Sequence, residues 1–249
     1  IALFGDSYTA GTTPAGTRIS DALQRLRPQA QILNFGVGGY GLDQILLRLE
    51  DRLGVLNPGD QVLIGVLTTD LDRTILPLRD ASKPWFSLSS AGDLTLHPPA
   101  QGSTTQWFSD HPITATSLLW RRLIRTAQLQ SARSAESTKP DCQVQEKTEL
   151  SHALLSRMGA VCRDAGLHCT LLSLHRPIDL AQGGGWRAEL LHSAQTHGLK
   201  LIDTAALMRD LEGGWAEMYG RDNHPSAAGN QQLARWIDRA LSESDEPRD

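Results

Sequence analysis

Ile1-Ala-Leu-Phe-Gly-Asp-Ser-Tyr-Thr-Ala-Gly11 opens the chain, and its reading decides the fold. Ile1 to Phe4 is a short apolar run of the kind that forms a strand buried on both faces. It breaks straight into Gly5-Asp6-Ser7, with no loop of turn length between them. A strand ending on Gly-Asp-Ser sets a hydroxyl at the carboxyl edge of a sheet, where open α/β folds bind their ligands. Taken alone, the tripeptide has two readings. Either Ser7 is a nucleophile, or Asp6 and Ser7 are cap residues of a following helix.

Working outward, four more apolar, β-rich runs follow the first: Gln31 to Phe35, Gln61 to Leu67, His168 to Leu174 and Leu199 to Ile202. Helix-period segments separate them, the alternation that produces a parallel sheet covered on both faces. After Gly41, the residues Leu42, Ile45, Leu46, Leu49 and Leu53 fall at i, i+3, i+4, i+7 and i+11 and form one apolar stripe. Leu233, Trp236, Ile237, Ala240 and Leu241 repeat the pattern near the C-terminus, and residues 242–249 read as a solvated tail. The sequence from 1 to 241 shows no repeats and no boundary, so one domain is expected.

One region departs from the alternation. From about 76 to 112 the chain carries Pro77, Pro84, Pro98, Pro99 and Pro112 among Trp85, Phe86, Trp107 and Phe108, with little periodicity. A loop this long inside a compact domain is usually functional or disordered, and the aromatics argue against disorder. The expectation is an insertion packed over the top of the sheet, either the wall or lid of a binding site or a structural excursion. A helical stretch, 116–130, and a polar linker, 131–141, follow it.

Composition narrows the function classes. A net charge of −4 carries no basic excess, so neither nucleic acid nor an anionic membrane surface is an expected partner. No apolar stretch approaches the ~20 residues of a membrane span. Cys142, Cys162 and Cys169 are an odd number without a C-x-x-C pair, and read as buried or incidental thiols rather than metal ligands. The chain starts with Ile inside an expected strand, so any signal peptide or anchor is expected upstream of the residues in hand. An extracytoplasmic location is favoured on that ground.

Two further motifs bear on Ser7. "GRDNHPSAAGN" near the C-terminus holds Asp222 and His224 two apart in a Pro/Gly-rich loop, where a carboxylate can orient an imidazole and the imidazole can take a proton from a hydroxyl. On its own the pair reads equally as surface-loop residues. "NFGVGGYG" after the second run formally matches G-x-G-x-x-G through Gly36, Gly38 and Gly41. The dinucleotide reading fails on context, since that fingerprint follows the first strand and needs an acidic residue closing the next one. A glycine turn with main-chain N–H groups facing a site better suits an oxyanion hole.

Together, "GDSYT", "NFGVGGYG" and "DNHPSAAG", in this order and over almost the whole chain, resemble the GDSL/SGNH hydrolases. The resemblance implies a three-layer α/β/α, flavodoxin-like fold with a central five-stranded parallel sheet, and acyl-ester chemistry with no cofactor and no metal. It matches Ser7 to the nucleophile, His224 to the base, Asp222 to the acid and Gly36 to the oxyanion-hole glycine. Two departures stand out. The acid sits two residues before the His rather than three, and "GVLTTDLDR" offers Thr69 before Asp70 where the family usually has Asn.

The expected oxyanion hole is therefore the N–H groups of Ser7 and Gly36 with help from Thr69, or from a neighbour such as Asn34. Asp6, Asp70, Trp85 and Trp107 are the expected substrate contacts. The expected function is a serine esterase acting on a small acyl group, acetyl above all, on a carbohydrate. An acyltransferase with the same triad, and a glycan-binding domain that lost its activity, are the alternatives. No G-x-S-x-G occurs, which argues against the other common Ser-His-Asp fold.

Overall fold

A computed structural model describes residues 1–76, 78–79, 81–89, 91–99, 140–181, 186–211 and 214–245, together with Leu119 and Leu123; at 68–69, 78–79, 81–82, 140–146 and 244–245 it describes the backbone alone. Five strands form the central sheet: β1 (Ala2–Phe4), β2 (Leu33–Asn34), β3 (Gln61–Leu67), β8 (His168–Leu174) and β9 (Lys200–Asp203). All pair in parallel, in the order β2-β1-β3-β8-β9. Because β2 and β3 lie on opposite sides of β1, the connection reverses direction at the carboxyl end of β1. That is the topological switch point at which open α/β sheets leave a crevice, and Ser7 stands there.

The period-2 pattern of each strand divides its side chains between two helical layers. Ala2, Phe4, Val62, Ile64, Val66, Cys169 and Leu171 face a core with α3 (Leu42–Arg52), α5 (Pro140–Asp164) and α7 (Arg187–Thr196). Leu3, Leu63, Leu67, Leu172, Leu174 and Ile202 face the other, with α2 (Ile19–Leu26), α8 (Thr204–Arg209) and α9 (Ala227–Asp245). The stripe expected after Gly41 is the inner face of α3, where Leu42, Ile45, Leu46 and Leu49 are buried. Leu53 falls in the 3-10 turn that ends it. The shorter helices are α1 (Ser7–Ala10), α4 (Thr68–Thr74) and α6 (Pro177–Ala181).

The 76–112 region needs correction. Its described part is regular: β4 (Leu78–Arg79) pairs with β5 (Ala81–Ser82), and β6 (Trp85–Leu88) pairs with β7 (Leu94–His97), both antiparallel. The β6–β7 hairpin packs on α3 and α5, with Phe86 buried in that core, so this part covers a helical face of the sandwich. Trp107, the 116–130 stretch apart from Leu119 and Leu123, and 131–139 lie outside the described residues. Helix α5 begins at Pro140, inside the expected linker, and α9 runs to Asp245, past the expected start of the tail.

The cysteine reading also changes. Cys162, near the end of α5, and Cys169, at the start of β8, form a disulfide, with Cα atoms 6.1 Å apart. Helix and strand run antiparallel across a tight turn, which brings two cysteines seven residues apart to bonding distance.

Candidate active site

Gly5 allows the abrupt turn from β1 into α1. A Cβ there would collide with Thr9 Oγ1 and lie 2.8 Å from the Gly65 carbonyl on β3. Gly65 is equally constrained by Thr9, so the pair of glycines lets α1 sit directly on the sheet. Asp6 caps the helix, its Oδ1 accepting the Tyr8 N–H at 2.8 Å. Cap and nucleophile were alternatives in the sequence; here Asp6 is the cap, and Ser7 is left half-buried at the mouth of the crevice.

The loop between Met218 and Ser226 arrives from the other end of the chain and is closed at its base. Tyr219 bridges Pro225, Ser226 donates its N–H to the Met218 carbonyl at 2.8 Å, and Gly220 donates to the His224 carbonyl at 2.8 Å. Gly229 seals the underside, since a Cβ there would collide with the Met218 carbonyl oxygen. Within the loop Asn223 takes a left-handed conformation, φ +63°, one that asparagine tolerates better than most residues. The turn aims His224 at Ser7.

His224 Nε2 lies 2.9 Å from Ser7 Oγ, within ordinary hydrogen-bond range. The Asp6 carboxylate is 3.4 Å from the same hydroxyl, so the imidazole is its closer partner. On the far side of the ring, Nδ1 is 3.2 Å from both the Asp222 carboxylate and the Asp222 main-chain carbonyl. Asp222 Oδ1 accepts the His224 N–H at 3.2 Å, and this bond holds its carboxyl below the usual carboxylate range. The Asp222 side chain is 59% exposed, so water shares the carboxylate with the ring.

Beneath Ser7 lies a buried ionic layer. Arg73 Nη1 is 2.9 Å from Asp6 Oδ2, 2.6 Å from Asp70 Oδ1 and 3.2 Å from the Tyr40 carbonyl. Asp6 and Asp70 are completely buried. Their expected role as substrate contacts is therefore corrected: both are tied to Arg73, and Asp70 Oδ2 also accepts the Leu67 N–H at 3.0 Å. Nearby, the buried Asp43 pairs with Lys83, although burial still pushes its carboxyl up. Arg73 thus links the ends of β1 and β3 to the glycine turn. Asp70 and Arg73, spaced i and i+3 on α4, were the signal for it in the sequence.

The glycine turn corrects the oxyanion assignment. The Gly36 N–H donates to Asn34 Oδ1 at 3.0 Å and is engaged inside its own loop. A Cβ at Gly36 would lie 2.5 Å from the Ala10 nitrogen, so this glycine serves close packing on α1. Asn34 is no substitute donor, since its amide nitrogen donates to Thr9 O at 2.9 Å and Ser20 Oγ at 3.2 Å. Gly38 is the residue that faces Ser7: a Cβ there would be 3.8 Å from Ser7 Cβ. It lies in the Val37–Tyr40 turn, which closes through the Tyr40 N–H on the Val37 carbonyl at 3.3 Å and needs Gly39 at φ +88°. The Thr69 backbone opens α4 at the end of β3; its side chain lies outside the described residues.

Trp85 stacks on His97 across the hairpin, with ring centroids 4.2 Å apart, and no described contact joins it to Ser7 or His224. A groove of about 660 Å³ runs between α3, α5 and the hairpin and is lined by none of the three residues Ser7, Asp222 and His224. Among the described residues no group of three or more His, Cys, Asp or Glu is placed to hold a metal ion. None of the described helices is long and apolar enough to cross a membrane.

The model of the GDSL-like lipase/acylhydrolase family matches residues 3–232. The chain belongs to this family. Its fold is that of solved members at low identity. TesA is 16% identical, with a TM-score of 0.55 over 97% of either chain. The psychrotrophic esterase EstA from Pseudoalteromonas, in a structure inhibited by monoethylphosphonate, is 12% identical, with a TM-score of 0.56 over 98% of this chain and 96% of that one. The protein YXIM of Bacillus subtilis is 15% identical, with a TM-score of 0.58; 98% of this chain matches 56% of that chain, so the present chain spans little more than half of it. No match was found among curated proteins.

Proposed function

We propose that this hydrolase is a serine esterase in which Ser7 attacks the ester carbonyl. The observation that carries the reading is the 2.9 Å approach of His224 Nε2 to Ser7 Oγ, across 217 residues of sequence, at the switch point of the sheet. Nε2 takes the Ser7 proton as Oγ bonds to the carbonyl carbon, and returns it to the leaving alkoxide as the ester C–O bond breaks. Asp222 holds the proton-bearing Nδ1 and stabilises the imidazolium. Main-chain N–H groups of Ser7 and the Gly38 turn are the proposed oxyanion donors, with Thr69 proposed from the sequence as a further one. Water, activated by the same imidazole, then releases the acyl group as its acid.

A small acyl group, acetyl above all, on a carbohydrate is the proposed substrate, a reading supported by the aromatic content of the 76–112 region in the sequence. An extracytoplasmic location is supported by the Cys162–Cys169 disulfide, since such bonds persist in oxidising compartments. The test is hydrolysis of p-nitrophenyl acetate by the parent chain and by Ser7→Ala, with a monoethylphosphonate ester as active-site label. The expected result is a rate that disappears with Ser7 and a single phosphonate adduct on that residue. An unchanged rate in Ser7→Ala would overturn the reading. Parallel assays on an acetylated oligosaccharide and on p-nitrophenyl octanoate test the substrate class.

A further inference from the structure

Immediately after the nucleophile stands a phenol whose environment serves the other end of the site. Tyr8 is buried in the core beneath α9, 4% exposed, yet its hydroxyl reaches the Asp222-Asn223-His224 turn and donates to the Asn223 main-chain carbonyl. Its ring lies 5.0 Å from the His224 ring, tilted by 44°. Asn223, the residue whose carbonyl is held, is the only non-glycine residue with positive φ among the described residues. Burial pushes the phenol up, away from ionisation, so it remains a donor at neutral pH.

These contacts matter because the usual restraint on the base is thin. The Asp222 side chain is more than half exposed, and Nδ1 divides between its carboxylate and its carbonyl, both at 3.2 Å. A non-glycine residue in the left-handed region persists only where its surroundings hold it there. A ring swing of 1 Å would separate Nε2 from Oγ, and such misplacement costs on the order of 10²-fold in rate. The Tyr8 hydroxyl grips the turn at the peptide between the acid and the base, from the helix that carries the nucleophile.

We infer that Tyr8 is a positioning residue, which locks His224 onto Ser7 by holding the Asn223 carbonyl. The inference rests on the esterase reading for its kinetic consequence and on geometry alone for its structural one. Through Tyr8, one short helix fixes both partners of the proton transfer: Ser7 by its main chain and His224 by the adjacent side chain.

The test compares two hydroxyl deletions. Tyr8→Phe keeps the ring and removes the hydroxyl that holds the turn. Thr204→Val removes another buried hydroxyl-to-carbonyl bond, to Ser173 O on β8, outside the 218–226 loop. Two readouts are taken on each: kcat and KM on p-nitrophenyl acetate, and the imidazole nitrogen shifts of His224 in the free protein. In Tyr8→Phe, kcat is expected to fall about tenfold at unchanged KM, the equivalent of ~1.4 kcal/mol, and the single Nδ1–H tautomer to become a mixture. Thr204→Val is expected to change neither.

If the parent shows Ser7-dependent turnover and Tyr8→Phe keeps both its kcat and its single tautomer, the positioning role is refuted and the esterase reading stands. The role is refuted equally if both deletions lower kcat alike and leave the tautomer alone, since that is loss of general stability. If the parent shows no Ser7-dependent turnover, the esterase reading fails. The tautomer comparison then still decides whether Tyr8 holds His224.

Discussion

Acidification from pH 7 to 4.5 is expected to weaken the fold through His175, a histidine at the carboxyl end of β8 that the proposed chemistry does not use. The side chain is 1% exposed, with Nε2 3.3 Å from Ser173 Oγ and Nδ1 without a hydrogen-bond partner. Burial lowers its pKa from 6.5 to about 4, against the opposing pull of Asp203 and Asp179 and with a smaller contribution from Arg187. The folded chain therefore resists a proton that the unfolded chain accepts. Stability is complete above pH 6.5 and is lost as pH falls, the loss levelling off below about 4. Integrated over that window, the linkage amounts to about 2–3 kcal/mol by pH 4.5. His152 and His197, both lowered chiefly by burial, add slopes of the same sign. Urea unfolding of the parent and of His175→Gln at pH 7.0, 5.5 and 4.5 isolates the one residue, because the carboxylates and the other histidines titrate alike in both. The difference in stability between the two chains should shrink by about 2–3 kcal/mol across the series. A difference that stays constant with pH would refute the reasoning and mean that His175 is accessible to protons in the folded state.

Asp222→Asn should lower turnover on p-nitrophenyl acetate far less than Ser7→Ala or His224→Ala, about 10- to 100-fold against ~10³-fold or more, because Nδ1 retains the Asp222 carbonyl at 3.2 Å. Equal losses in all three variants would show that the exposed carboxylate is indispensable. Arg73→Met should destabilise the chain by about 3–5 kcal/mol in urea, by leaving the buried Asp6 and Asp70 carboxylates without their cation. A stable Arg73→Met protein would place water or another cation in that layer. Replacing Cys162 and Cys169 together by Ser should cost about 2.5 kcal/mol from the entropy of a seven-residue spacing, without changing ester turnover, since the bond joins the start of β8 rather than its carboxyl end. A loss of turnover at 25 °C in the folded double variant would contradict that separation.

What the sequence determined by itself is what local chemistry encodes. Apolar runs of strand length located all five strands of the central sheet. The bounds were right for Gln61–Leu67 and His168–Leu174, where neighbours on both sides extend the pairing, and too generous for β2, one of the two edge strands, which is regular only over Leu33–Asn34. The 3.6-residue period identified the buried faces of α3 and α9, because a helix in a three-layer fold has one core to face. The Gly-Asp-Ser and Asp-Asn-His segments were visible as candidates, but nothing local joins residues 7 and 224.

The tertiary structure decided that union, and it decided which polar residues do what. Asp6 and Asp70 look like exposed acids in the sequence and become buried partners of Arg73, since only the parallel pairing of β1 with β3 brings the three together. Gly36 and Gly38 are indistinguishable by type. One is pressed on the Ala10 backbone with its N–H consumed by Asn34, while the other faces Ser7, a difference made by the direction of the chain rather than by its composition. Cys162 and Cys169 were an unremarkable spacing until the turn from α5 into β8 folded one back on the other. Periodicity records how much of each residue meets apolar surroundings. Pairings between polar groups far apart in sequence depend on the orientation of whole elements, and that orientation exists only once the sheet is assembled.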